Sequence, residues 1–252
     1  MEIYIDSTLQ TISKVFKIPS PQTKDRILLK RSLLKLSSKL NNVDPDVAID
    51  EMKTILSQFK RYPSKFTDRA NNRVLGIRDM LPKEYYPLTI LDIGAGNTEI
   101  SVALRQHYRL NKDNVFVVDP KITTSEDVTV LSYVNGKIPL PDKSIDLIVV
   151  LAVLHHIDPN TRDELMKEIS RISRGFVLIR EHDDDTTPEF RSFLDLIHIF
   201  WYAANNESYD PLHLMTRDQT KELMNSHGLI SKSHVTYDTS NPQRLYYELY
   251  HK

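Results

Sequence analysis

Two hydrophobic patterns divide the chain. Residues 6–18, 24–41 and 46–60 carry apolar side chains at three- and four-residue spacing, most plainly Leu28, Leu29, Leu33, Leu34, Leu36 and Leu40, which is the periodicity of amphipathic helices. Ser20-Pro21 and Asp44-Pro45 punctuate this region, because the residue before a proline is pushed out of the α region. After Tyr85-Tyr86-Pro87 the pattern changes to short β-branched runs alternating with helical stretches. Strands are predicted over 88–93, 115–119, 128–131, 145–151, 176–180, 233–238 and 244–250, and helices over 98–108, 161–174, 189–204 and 216–227. Such alternation implies right-handed βαβ crossovers and a mostly parallel sheet with ligands at the carboxyl ends of its strands. The last two runs have no helix between them and predict an antiparallel hairpin at one edge. The expected organisation is a helical N-terminal module over 1–85 and an α/β domain over 86–252. His198, Phe200, Trp201 and Tyr202 crowd one predicted helix and are expected as core between helix and sheet.

Composition narrows the classes. At 252 residues and 40% apolar, the chain is long enough to bury a substantial core. No stretch approaches the ~18 apolar residues of a spanning helix and no leader pattern opens the chain, so no membrane association is expected. Cysteine is absent, which excludes a disulfide scaffold, a cysteine-ligated metal and a cysteine nucleophile, and fits a cytoplasmic setting. The net charge of −1 hides a split: 16 Lys+Arg stand against 10 Asp+Glu before Tyr85, and 17 against 24 from there on. A basic module reads either as a footprint for RNA or another nucleic acid, or as solvated helices. The run Lys60–Arg73 interleaves Tyr62 and Phe66 with cations, which makes Lys60, Arg61, Lys65, Arg69 and Arg73 candidate substrate contacts. The same run also reads as a lid with Arg69 or Arg73 on a cofactor carboxylate, or as a helix with a solvated basic face.

Only six glycines occur, and two of them, Gly94 and Gly96, fall in Leu91-Asp92-Ile93-Gly94-Ala95-Gly96-Asn97-Thr98-Glu99, where a buried strand gives way to a helix. Glycine there lets backbone approach a ligand closely, and Thr98 is expected to cap the helix. Both NAD(P) and S-adenosylmethionine use such turns. Here Glu99 replaces the third glycine of the dinucleotide fingerprint, and the Asp92 carboxylate repels a pyrophosphate but suits an ammonium. Asp119, at the end of the second strand and 23 residues beyond Gly96, stands near the offset at which an acidic residue meets a ribose diol.

Taken in order, LDIGAGNTEISVAL, VFVVDP and IPLPDKSIDLIVVLAVLHHI resemble the class I S-adenosylmethionine-dependent methyltransferases, particularly the group with an "LHHI" run after the fourth strand. The resemblance covers about residues 88–180. It implies a Rossmann-like sheet of seven strands with a reversed last hairpin, and S-adenosylmethionine as cofactor. It also implies that Asp92, Gly94, Gly96 and Asn97 line the methionine and ribose end. Asp119, followed by Pro120, would bind the ribose hydroxyls, and Val134 or Asn135 would flank the adenine. Leu151 and Ala152 would lie under the sulfonium, with His155 opening the substrate side.

The fifth strand ends in Arg180-Glu181-His182-Asp183-Asp184-Asp185. Glu181 or His182 is a candidate base and Arg180 a candidate anchor for an anionic substrate, unless the segment is simply a solvated acidic loop. Arg244, entering the last strand, is a candidate pocket edge. No metal is expected, since His155, His156, Asp158 and His182 would have to converge from separate loops. A Lys-Asp-Lys-Glu tetrad of the RNA 2′-O-methyltransferases would need Lys65, Arg180 and Glu248, but the fourth strand ends in Leu151-Ala152 rather than an aspartate. The expected function is methyl transfer to RNA or another nucleic acid. The alternatives are a small-molecule methyltransferase, or an inactive cofactor-binding scaffold that stimulates a partner protein.

Overall fold

Strands buried on both faces read as near-continuous apolar runs, whereas helices need only a stripe. The computed structural model follows that division. It describes residues 2–16, 24–59, 66–184, 186–236 and 243–252. Among the described residues the helices are α1 (Glu2–Phe16), α2 (Lys24–Ser37), α3 (Pro45–Leu56), α4 (Phe66–Met80), α5 (Glu99–His107), α6 (Pro159–Ile172), α7 (Pro188–Asn205) and α8 (Arg217–Ser226). The strands are β1 (Ile90–Ile93), β2 (Val115–Val118), β3 (Thr129–Leu131), β4 (Ile145–Leu151), β5 (Ser173–His182), β6 (Ile230–Thr236) and β7 (Leu245–His251). No described helix is long and apolar enough to cross a membrane.

The chain folds as two units, residues 1–64 with 184–212, and residues 65–183 with 213–252. This is not the single cut expected at residue 85. Helix α4 belongs with the sheet, because its Val74, Ile77 and Met80 pack with Ile90, Leu104 and Val115. Helix α7 belongs with the N-terminal helices, because its Leu196, Ile199 and Phe200 share a core with Ile5, Leu9, Leu29, Leu33, Ile49 and Met52. The aromatic group on α7 is thus helical-bundle core rather than the expected helix-on-sheet core. Each such side chain contributes about 1.5–3 kcal/mol by leaving water.

In the sheet unit the strand order is β3-β2-β1-β4-β5-β7-β6. Pairing is parallel from β3 to β5 and antiparallel for β5–β7 and β7–β6, which is the Rossmann-like α/β fold with a reversed C-terminal hairpin. Alternate residues face opposite layers. Leu147 and Val149 of β4 meet the α4 and α5 side, while Ile148 and Val150 meet Leu165, Met166 and Ile169 of α6 and Met224 of α8. Helix α6 starts two residues before its expected position, because Asp158 accepts the Asn160 N–H at 2.8 Å and Pro159 occupies the first turn. It ends at Ile172, so β5 begins three residues earlier than the apolar run 176–180 suggests.

Candidate functional site

Parallel strands deliver their carboxyl ends to one edge, and the turn after β1 carries the most demanding backbone there. Gly94 (φ +70), Gly96 (φ +59) and Thr98 (φ 62) are left-handed. Gly94 is required a second time by space, since a Cβ there would lie 2.4 Å from Val153 Cγ2. Beside Gly96 the space is open, with nothing within 4 Å of where a Cβ would stand. The turn is fixed by Gly94 N–H donating to Val118 O at 2.8 Å and Gly96 N–H donating to Asp119 Oδ2 at 2.9 Å. The other Asp119 oxygen accepts the Lys121 N–H at 2.8 Å. A carboxylate has about four acceptor positions, so Asp119 keeps capacity for hydroxyl donors beside the open space. This acceptor set fits an adenosine ribose.

Two neighbours depart from expectation. Asp92 lies beneath the turn, 2% exposed, and accepts the Ser101 hydroxyl at 2.5 Å. It ties β1 to α5, and burial pushes its carboxyl up to about 7, only partly opposed by Ser101. Thr98 makes no side-chain cap, because a capping residue needs extended backbone and Thr98 is left-handed. Asn97 and Pro120 are exposed. Asn97 offers Oδ1 to the Glu99 N–H only at 3.4 Å. Val134 and Lys137 exchange two backbone bonds of 3.0 Å around a left-handed Asn135-Gly136 pair, a tight hairpin turn. It borders an open groove of about 770 Å³ lined also by Ile138, Leu140 and Arg171.

The exit from β4 is held by the end of β5. Ala152, left-handed at φ 61, donates its N–H to Arg180 O at 2.7 Å. The N–H groups of Val153 and Leu154 both donate to Glu181 Oε1, at 2.8 and 2.7 Å, and His155 Nδ1 lies 2.5 Å from Glu181 Oε2. Burial would raise the Glu181 carboxyl, but His155, His182 and the backbone donors outweigh it and hold it at about 2. A carboxylate held this way is a poor proton acceptor, so the geometry does not support Glu181 as a base. His155 is likewise buried and engaged rather than presented to a substrate. His182 Nδ1 lies 2.8 Å from the Gln243 carbonyl, which can only accept. The proton is therefore on Nδ1 and the lone pair on Nε2. Burial and the nearby His155 lower His182 to about 4, which keeps it neutral at physiological pH.

The remaining candidates scatter. The Arg180 guanidinium sits 5.8 Å from the Tyr247 ring centroid, and Arg73 Nη1 lies 3.5 Å from the Tyr247 hydroxyl. Both arginines therefore turn toward the sheet's own tyrosine. Arg244 is exposed near Asp183, at 3.5 Å. Lys60, Arg61 and Lys65 lie outside the described residues, as does the side chain of Arg69. Glu248, the acid of the considered tetrad, is fully buried and engaged by Arg217 Nε at 2.8 Å and Ser231 Oγ at 2.5 Å. Sequence reasoning missed Ser101, Val153 and Arg162. Arg162 is buried and donates to Ile157 O and His213 O, both at 2.8 Å. Its signal was present, since a charged residue occupies the apolar stripe of α6 shared with Leu165, Met166 and Ile169.

Comparison with known proteins agrees with this geometry. A family model described as "Methyltransferase domain" matches residues 60–230. No curated protein matches the chain. Among solved structures, a protein of Nostoc punctiforme named as a candidate O-methyltransferase is similar with a TM-score of 0.53 at 13% identity, over 96% of this chain and 72% of that one. A SAM-dependent methyltransferase of Aquifex aeolicus is similar with a TM-score of 0.50 at 14% identity, over 83% and 99%. One of Thermotoga maritima is similar with a TM-score of 0.50 at 16% identity, over 74% and 92%. These likenesses are of fold.

Proposed function

The chain belongs to the methyltransferase-domain family, whose methyl donor is S-adenosylmethionine, and we propose that it methylates a small-molecule acceptor, with the donor held by the Gly94–Thr98 turn and Asp119. The observation that carries the acceptor class is the charge of each folded unit. Residues 1–64 with 184–212 hold 12 Lys+Arg and 13 Asp+Glu, and the sheet unit holds 21 of each. The basic excess before Tyr85 is cancelled once the acidic segment 184–212 is counted with the helices it packs among. Neither unit carries the net positive charge that favours a polyanion, and a small acceptor does not call for one.

The donor supplies a methyl group already activated on a sulfonium. What remains for the chain is alignment, which lowers barriers by roughly 7–11 kcal/mol in favourable cases. The left-handed Ala152 and its pinned neighbours give a fixed floor at the end of β4. Where the acceptor must lose a proton, His182, whose Nδ1 is bonded to Gln243, is the candidate to take it.

The test is labelled methyl incorporation into parallel pools of small metabolites, capped RNA, uncapped RNA, DNA and protein extract, with calorimetry for S-adenosylhomocysteine. Label in the metabolite pool, insensitive to salt, is the expected result. Label in RNA that is lost on joint charge reversal at Lys60, Arg61 and Lys65 would replace this reading with the nucleic-acid one. Product binding with no label in any pool would point to a scaffold acting on a partner protein.

A further inference from the structure

Four strand ends are linked side to side at the carboxyl edge, in their spatial order β5, β4, β1, β2. At the end of β5, Glu181 takes the N–H groups of Val153 and Leu154 with one oxygen and His155 with the other. Val153, fixed by that bond just past the end of β4, places Cγ2 and Cγ1 at 2.4 and 3.0 Å from where a Gly94 Cβ would be. Gly94, just past β1, donates to Val118 at the end of β2 at 2.8 Å, and two residues on Gly96 donates to Asp119 at 2.9 Å. Each link is a bond or a van der Waals closure with no slack. A shift of Val153 has nowhere to go except into the glycine turn or away from it.

We propose that Glu181 is the positioning residue of the methyl-donor site, acting through Val153 on Gly94 and so on the Gly96–Asp119 pair, without touching donor or acceptor. Glu181 rests on the methyltransferase reading for the identity of what binds, but the relay itself is a property of the ligand-free chain. The arrangement also accounts for two features otherwise separate. A buried carboxylate is retained at the strand end although it is too weak a base for proton transfer, and the first glycine of the turn is needed for space as well as for its φ.

A second buried carboxylate in the same sheet is the natural control. Glu248 is fully buried, is bonded to Arg217 and Ser231, and faces the α6 and α8 layer. Glu181→Gln and Glu248→Gln both remove a buried charge and both lower stability. Only the first should move the donor site.

The experiment is made on the full chain, with calorimetry against S-adenosylhomocysteine and amide NMR of the ligand-free protein. Glu181→Gln should weaken S-adenosylhomocysteine about tenfold and shift the Gly94 and Gly96 amide signals. Glu248→Gln should leave both unchanged. Val153→Ala, which keeps the Glu181 bonds and removes the methyls against Gly94, should produce the same direction of change. Glu181→Gln with Val153→Ala together should be less than additive. The proposal is overturned if Glu181→Gln leaves the affinity within twofold and the two amides in place, or if Glu248→Gln moves them equally. Should Glu181→Gln fail to fold, unchanged Gly94 and Gly96 amides in Val153→Ala overturn it alone. An unaltered chain that does not bind S-adenosylhomocysteine while its Gly94 and Gly96 amides still respond to Glu181→Gln contradicts the donor assignment and supports the relay.

Discussion

The two ends of the sheet use the same device to different ends. At the amino end Asp146 accepts the N–H groups of Leu88 and Thr89 at 2.9 and 3.0 Å, as Glu181 does for Val153 and Leu154 at the carboxyl end. At the amino end a glycine again lies where no side chain fits, since a Cβ on Gly175 would meet Asp146 O at 2.3 Å and the Tyr85 hydroxyl at 2.4 Å. The side-chain partners differ. Asp146 is paired with Arg174, half in water, at 2.7 Å, whereas Glu181 is paired with fully buried His155. The backbone differs too: none of Leu88, Thr89, Asp146 and Gly175 has a positive φ, while Gly94, Gly96, Thr98 and Ala152 all do. A clamp alone therefore gives rigidity. A clamp beside strained backbone and open space gives a site.

That contrast can be broken by separating stability from donor affinity. The largest effect is expected from Gly175→Ala, which should cost about 3 kcal/mol in urea unfolding and leave S-adenosylhomocysteine affinity of the folded fraction unchanged. A parallel loss of affinity would mean that the two ends are coupled. Asp119→Ala should weigh the other way, weakening S-adenosylhomocysteine by about 2 kcal/mol, or roughly thirtyfold, with a smaller loss of stability than Gly175→Ala because only two partly exposed turn bonds go with it. Unchanged affinity by calorimetry would remove Asp119 from the donor site. Asp146→Asn should be smallest, about 1 kcal/mol, because its arginine is half exposed. Its pH dependence sharpens the point. Burial raises the Asp146 carboxyl, but Arg174 and the backbone donors outweigh it and lower it overall. The stability it contributes is present above the ordinary carboxylate value of 3.8 and lost as pH falls below it. The gap between Asp146→Asn and the unaltered chain should therefore close on acidification, followed by circular dichroism.

The sheet was legible because buried parallel strands leave dense β-branched runs, and the glycine turn because glycine is scarce enough to mark demanding backbone. Asp119 was legible because βαβ geometry fixes its distance along the chain from the turn. Glu181 was legible only as an ionisable residue at a strand end. Its partners are backbone N–H groups 27 and 28 residues earlier, and backbone leaves no trace in the residue string. The unit boundary failed for a related reason. Helix α7 is apolar around most of its circumference, which announces deep burial, but the pattern does not say against which segment it is buried.

The assignment of residues 184–212 to the helical unit has a consequence for synthesis. The ribosome delivers α1, α2 and α3 first, yet Leu196, Ile199 and Phe200 of their shared core follow only after the 119 residues 65–183 of the other unit. That other unit then lacks β7, the strand between β5 and β6, until the final stretch emerges. The helical unit cannot close its core until residues 184–212 follow most of the sheet unit, and the sheet unit cannot close until β7 follows them, so apolar surface of both stays exposed through much of their synthesis, the condition in which chaperone engagement matters most.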